Sequence, residues 1–318
     1  MLYSDYDNDL FTKCLTMLEK RWIEPSIFGI LRFGRKLDSI PTEKTAQLSH
    51  LLRKYDSQDV QFLIVELLES VPFDHTAHFD PDFVFDILSH TVPNHGNGNQ
   101  SGYHWKEICQ KLITWDKKYT LQLLNMLLTQ MKDDYHLSHD HDVEALAYKL
   151  VQTDPVGSWQ IIKHHLEETL PYWRDDLLSW LKGGLGGFDE IVSSLGVIGL
   201  LPIVDILAWI EQDPEPRSRL IAHAAPKTLD GTDGQLTRIL LHKYGKFRGV
   251  QEGISAIFHS GGWSGSSVLH FKQIRNKFRE WLAAGFEIEV IQWVEHEIEY
   301  LDEKIEQAEI EEERLRFD

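Results

Sequence analysis

Cysteine is scarce: Cys14 and Cys109 are the only two in 318 residues. That is too few for a disulfide framework or a multi-thiolate zinc site, so a reducing, cytoplasmic setting is expected. Positive charge is scarce as well, with 32 Lys and Arg against 50 Asp and Glu and a formal net charge of −18. Alternating strand-like runs and Asn-Gly hairpin signals are nearly absent, which argues against a sheet-based fold. The opening "MLYSDYDNDLFTK" has early acids and no apolar stretch preceded by positive charge, so no secretory signal is expected. Only "IVSSLGVIGLLPIVDILAWI", residues 191 to 210, is as long as a membrane span. It contains Ser193, Ser194, Pro202 and Asp205 and has no nearby Lys or Arg to anchor it. Two buried helices meeting near Gly199 to Pro202, and no membrane association, are the expectation.

Signatures of catalysis are also missing. The glycine-rich stretches "GGLGG" (183 to 187) and "SGGWSGSS" (260 to 267) lack the Lys-Ser/Thr of a phosphate-cradling loop and follow no plausible strand, so they read as turns. No Gly-x-Ser-x-Gly elbow occurs. Both cysteines sit in helical patterns as small core residues. The chain reads as a non-enzyme without cofactor.

What is present is helical periodicity, with ten Trp, ten Tyr and fifteen Phe to bury. "QDVQFLIVELLESV" (58 to 71), "TLQLLNMLLTQM" (120 to 131) and "SWQIIKHHLEETL" (158 to 170) return apolar residues at three- and four-residue steps. Recurrent prolines from Pro25 to Pro226 break the chain into about fifteen to seventeen short helices. The fold class is all-α. Setting Asp56, Asp116 and Asp154 in register as helix caps aligns three segments. Leu63-Ile64, Leu123-Leu124 and Ile161-Ile162 then coincide, as do Leu67-Leu68, Leu127-Leu128 and His165-Leu166, on one inward stripe. Helix pairs of about forty residues are what stacked repeats use. In pattern, though without a full signature motif, the chain resembles HEAT and armadillo solenoids. The resemblance implies an irregular α-solenoid of stacked helix pairs.

One cluster raises the question of a metal. "DDYHLSHDHDVEALAYKL" (133 to 150) brings His136, His139, Asp140 and His141 close together, and imidazole with carboxylate suits zinc, manganese or iron. The sharpest catalytic version resembles the His-Asp metal phosphohydrolases. There His139-Asp140 or His141-Asp142 would join an upstream His75, His78 or His90 and a distant Asp175, Asp176 or Asp205 to orient a water on a phosphoester. Yet His139 and His141 are two apart, which on a helix sends them to different sides. The stronger reading is a capping loop: Asp140 as N-cap, then Val143, Leu146, Ala147 and Leu150 as the apolar stripe.

Charge is segregated along the chain. Residues 217 to 279 hold eleven Lys or Arg and three acids; residues 280 to 318 hold three and fourteen. An acidic helical-repeat region (1 to 216), a basic one (217 to 279) and an acidic C-terminal helix (280 to 318) are therefore distinguished within one continuous solenoid. "HFKQIRNKFREW" places His270, Lys272, Arg275, Lys277 and Arg279 near Trp281, after Trp263 in the glycine-rich turn. These seven residues are the candidate partner-binding set. Nucleic acid is one partner that the cations allow; internal neutralisation by the C-terminal helix, or a protein partner, fits the acidic whole better. In that last helix Ile291, Val294, Ile298, Leu301, Ile305 and Ala308 form a seam about two and a half heptads long, which suits a terminal cap or a homodimer contact.

The run "LLHKYGKFRGVQEGISAIFHSGGWSGSSVLHFKQIRNKFREWL" with its acidic tail resembles the C-terminal helical-repeat ends of large bacterial multidomain proteins, some of them in phage defence. The resemblance covers about the last hundred residues and implies a scaffold or sensor module that binds another macromolecule, chiefly protein. It assigns no functional residue.

Overall fold

The computed structural model describes residues 16, 42–54, 58–69, 80–91, 100–133, 141–167, 171–182, 196–260 and 265–317. Among these there are fourteen α-helices, one 3₁₀ turn and no strand. Packing divides the chain into two compact units, Met1–Asp154 and Pro155–Asp318. The charge boundaries after residues 216 and 279 each fall inside a helix, Pro214–Ala222 and Ser267–Leu282, so neither is a packing boundary.

The first unit holds α1 (Thr42–Leu52), α2 (Gln58–Glu69), α3 (Pro81–His90), α4 (Gln100–Trp115), α5 (Tyr119–Asp133) and α6 (His141–Thr153). Local chemistry sets the starts. Asp80 stands in extended conformation before Pro81, and its carboxylate accepts the Asp82 amide at 3.0 Å, satisfying a donor that the helix leaves free. Asp116 does the same for the Lys118 amide at the head of α5. Each helix packs on the next, and α2, α4 and α6 also pack on one another in succession. The buried stripe is the expected one: Ile64, Leu67 and Leu68 in α2, and Leu123, Leu124, Leu127 and Leu128 in α5. Polar ties cross the layers, with Lys106 on Asp142 at 2.7 Å and Arg53 on Asp86 at 2.7 Å. The Trp105 indole donates to the Leu88 carbonyl at 3.1 Å.

The second unit holds α7 (Pro155–Glu167), α8 (Pro171–Lys182), a 3₁₀ turn (Val197–Leu200), α9 (Ile203–Ile210), α10 (Pro214–Ala222), α11 (Gln235–Tyr244), α12 (Arg248–His259), α13 (Ser267–Leu282) and α14 (Ile288–Phe317). Of the long apolar run, residues 196–210 are described: a 3₁₀ turn, in place of the first expected helix, and α9 meet at Leu201-Pro202, and no described helix is long and apolar enough to cross a membrane. His165 fills the inward slot that the register assigned it. It is buried in α7, edge-on to Trp173 of α8 at 6.0 Å between ring centres. Most neighbours again pack in sequence, with additional contacts between α7 and α9, between α10 and α12 and between α11 and α14. The α10–α12 approach depends on Gly249 and Gly253, one turn apart on α12. A Cβ at Gly253 would sit 3.1 Å from Ala222 Cβ, and one at Gly249 would sit 2.9 Å from the Arg219 stem.

Candidate functional site

Four of the eleven cations of the basic island stand on α13, and each of the four is paired with a carboxylate. Ser266 caps α13, accepting the Leu269 amide at 3.2 Å and donating to Glu312 at 2.8 Å. Glu312, near the end of α14, also accepts the Val268 amide at 3.3 Å. A carboxylate thereby sits at the positive end of the α13 dipole. Its hydrogen bond from Ser266, followed by that from the Val268 amide, holds Glu312 below the ordinary glutamate value. Further along, Lys272 pairs with Glu309 at 2.7 Å, Arg275 with Asp302, and Arg279 with Asp302 at 3.9 Å. Contacts that descend α14 as they ascend α13 define an antiparallel hairpin. Lys277 turns instead to Asp230 at 2.9 Å and Glu280 at 3.2 Å.

Of the sequence-derived set, Lys272, Arg275, Lys277 and Arg279 are therefore engaged within the chain. His270 is half-buried, its ring 5.6 Å from Phe271. Trp281 is a core residue rather than an exposed anchor. It is 3% exposed, its indole donates to Asp230 at 2.8 Å, and its ring packs with Phe258, Phe278 and, through them, Trp293. A large ring at helical spacing was burying area between α12, α13 and α14. Trp263 lies outside the described residues.

Across the whole island, seven of the eleven cations have a carboxylate partner: the four on α13, plus Arg217 on Glu167, Lys243 on Glu211 and Arg248 on Glu252. Arg217 also lies over the Trp209 ring at 4.6 Å and donates to the Trp209 carbonyl at 2.7 Å, locking α10 to α9. Arg238 is spent on the Leu229 and Gly231 carbonyls.

A polar cluster unseen in the sequence lies between α12 and α14. Glu297, 3% exposed, accepts from Ser255 Oγ at 2.5 Å and sits 2.6 Å from His259 Nε2; the Trp293 indole donates to Ser255 at 3.2 Å. Serine, histidine and glutamate invite comparison with a hydrolytic triad, but the order is wrong. A triad needs imidazole against the hydroxyl it deprotonates, whereas here the carboxylate stands between them. The cluster joins two helices; it does not activate a nucleophile.

No family model, curated protein or solved structure matches this chain.

The histidine cluster falls mostly outside the described residues: His136, His139 and Asp140 do, as do His75 and His78 of the phosphohydrolase alternative. His141 is the first residue of α6, and Val143, Leu146, Ala147 and Leu150 are buried, the stripe that a preceding cap would start. His90, at the end of α3, contacts the Asp86 carbonyl at 2.7 Å and Ser89 at 3.0 Å. Among the described residues no three His, Cys, Asp or Glu are gathered as a metal ion would need. Cys109 is buried in α4, and that burial pushes its thiol well above the ordinary value, away from the reactive thiolate.

Proposed function

We propose that the chain is a non-catalytic helical-repeat module, a scaffold or sensor, that binds a protein. The observation that supports it is the order of helix packing. In each unit most helices pack on the next one and several on the next but one. Successive hairpins stacked in this way leave long outer faces on which a partner can lie.

Charge favours a protein with a basic surface over nucleic acid. The formal charge is −18, and most of the basic island is neutralised by carboxylates of the same unit. Glu299, Glu303 and Glu306 of α14 face outward and exposed, so the field that a partner meets is negative. Such a field raises association rate and selectivity more than affinity.

The test is capture of a candidate partner by the immobilised full chain at low and moderate salt. Replacing Glu299, Glu303 and Glu306 together by Lys should lower the association rate about tenfold at low salt and flatten its salt dependence. Equal capture by wild type and triple variant would refute the electrostatic part of the reading. Retardation of single- or double-stranded nucleic acid at moderate salt would favour the alternative partner.

A further inference from the structure

Four island cations have no carboxylate partner among the described residues. Arg238 is bound by carbonyls and Lys246 lies over the Phe247 ring, while Arg219 lines a cleft and Lys227 meets that cleft's Lys182 on Ser260. A cleft of about 730 Å³ lies between α8 and α10, lined by Arg174, Lys182, Arg219 and His223, with Asp175 and Glu215 also in its wall. Lys182 Nζ donates to Ser260 Oγ at 2.6 Å, and Lys227 Nζ donates to the Ser260 carbonyl at 2.7 Å. Two ammonium groups thus meet on one residue at the carbonyl end of α12. That end carries only about half a negative charge, too little to balance them.

The donors outnumber the acceptors. An ammonium has three N–H groups and a guanidinium five. Lys182 and Lys227 each spend one on Ser260, and among the described residues Arg174 and Arg219 have no carboxylate within ion-pair distance. Burial holds Lys182 below the ordinary lysine value; burial, then the charge of Lys182, does the same to Lys227. His223 is likewise lowered, by burial first and then by Arg219 and Lys182, against an upward pull from Asp175. Removing cations from water without a counter-charge is costly, and an anion seated between them would relieve that cost.

We infer that this cleft binds the phosphoryl group of a small phosphorylated molecule, held by Arg174, Lys182 and Arg219, which line it, with Lys227 beside Lys182 adding to the positive field. Phosphate oxygens accept many charge-assisted bonds at once, and guanidinium groups match them two at a time. Asp175 and Glu215 stand where hydroxyl or amino groups of the same molecule would donate, so a sugar phosphate fits better than bare phosphate. The site does not depend on the protein-binding reading, and either stands if the other fails.

Titration calorimetry on the full chain at about 150 mM salt tests it, with inorganic phosphate and ribose 5-phosphate as probes. Saturable one-site binding of ribose 5-phosphate is expected, tighter than that of phosphate. Lys182→Gln and Arg219→Gln should each weaken it about tenfold or more, as loss of a charge-assisted bond requires; Lys304→Gln on α14 should not. Arg219 is exposed, so its variant keeps the test valid if Lys182→Gln fails to fold, which circular dichroism reports. Absence of saturable binding by either probe, or equal binding in wild type and both cleft variants, overturns the site.

Discussion

Glu297 is the one buried acid described on its helix, and its neighbours explain why it is tolerated. Ser255 and His259, one turn apart on α12, both face its carboxylate. Removing it would leave two half-buried polar groups without their acceptor, the costly half of a broken hydrogen-bonded pair. Glu297→Ala should therefore lower unfolding free energy by about 2–4 kcal/mol in urea titration, whereas Glu303→Ala on the exposed face should change it by less than about 0.5 kcal/mol. Comparable losses in the two would remove the cluster's structural role. Gly196 is a second decisive residue, for a backbone reason. Its φ of 63° lies in the left-handed region, and an added Cβ would stand 2.4 Å from the Leu181 carbonyl oxygen and 2.5 Å from the Lys182 backbone. Neither obstacle is a flexible side-chain end. Gly196→Ala should cost about 3 kcal/mol or more, seen as a lowered urea midpoint with unchanged slope. A variant as stable as wild type would refute that account.

At the scale of the element, α13 and α14 show charge used for pairing two helices of one chain. Arg275 has a side chain only 18% exposed against 46% for Asp302, so their attraction is less screened than that of a fully exposed pair. A double-mutant cycle on Arg275→Ala and Asp302→Ala should give a coupling of about 0.5–1 kcal/mol, while Arg248 with Glu252, both exposed, should give about half that. Additive effects at 275 and 302 would mean that the pairing contributes no stability. How much of this was legible beforehand varies by element. Helices α2, α5 and α7 could be read from three- and four-residue steps, because their apolar residues outnumber exceptions and Pro155 or an Asp marks the start. Asp116 works as read; Asp56 lies outside the described residues. In α14 the apolar steps predict a seam at Ile291, Val294, Ile298 and Leu301 onward, but its first half is turned. Val290, Trp293, Val294 and Glu297 are buried, and Ile291 and Ile298 only half so. A buried carboxylate occupies a seam position, and periodicity that counts only apolar residues passes over it. The cleft was equally hidden. Arg174 and Lys182 come from an acidic stretch, Arg219 and Lys227 from the basic one, and only the packing of α8, α10 and the end of α12 brings them together.

At the scale of the molecule, the division after Asp154 separates two cores that are each built from neighbouring helices. The second core gathers Trp159, Trp173, Trp209, Phe258, Phe278, Trp281 and Trp293, all buried, and its polar ties, Glu167 with Arg217, Trp281 with Asp230 and His259 with Glu297, stay within it. α14 covers α11 and α13 there, so the long acidic helix is part of that core and does not depend on a second chain to bury its seam. Most contacts join helices close in sequence, which favours rapid and autonomous folding. Residues 155–318 expressed alone should accordingly be helical by circular dichroism and unfold in one urea transition, with a slope of about 1–3 kcal/mol/M. The transition should move to lower urea when Trp281→Ala is introduced, by the equivalent of about 3–5 kcal/mol. A fragment that is helical but melts without cooperativity, or that ignores loss of Trp281, would mean that the aromatic packing across α12, α13 and α14 does not define an independent core.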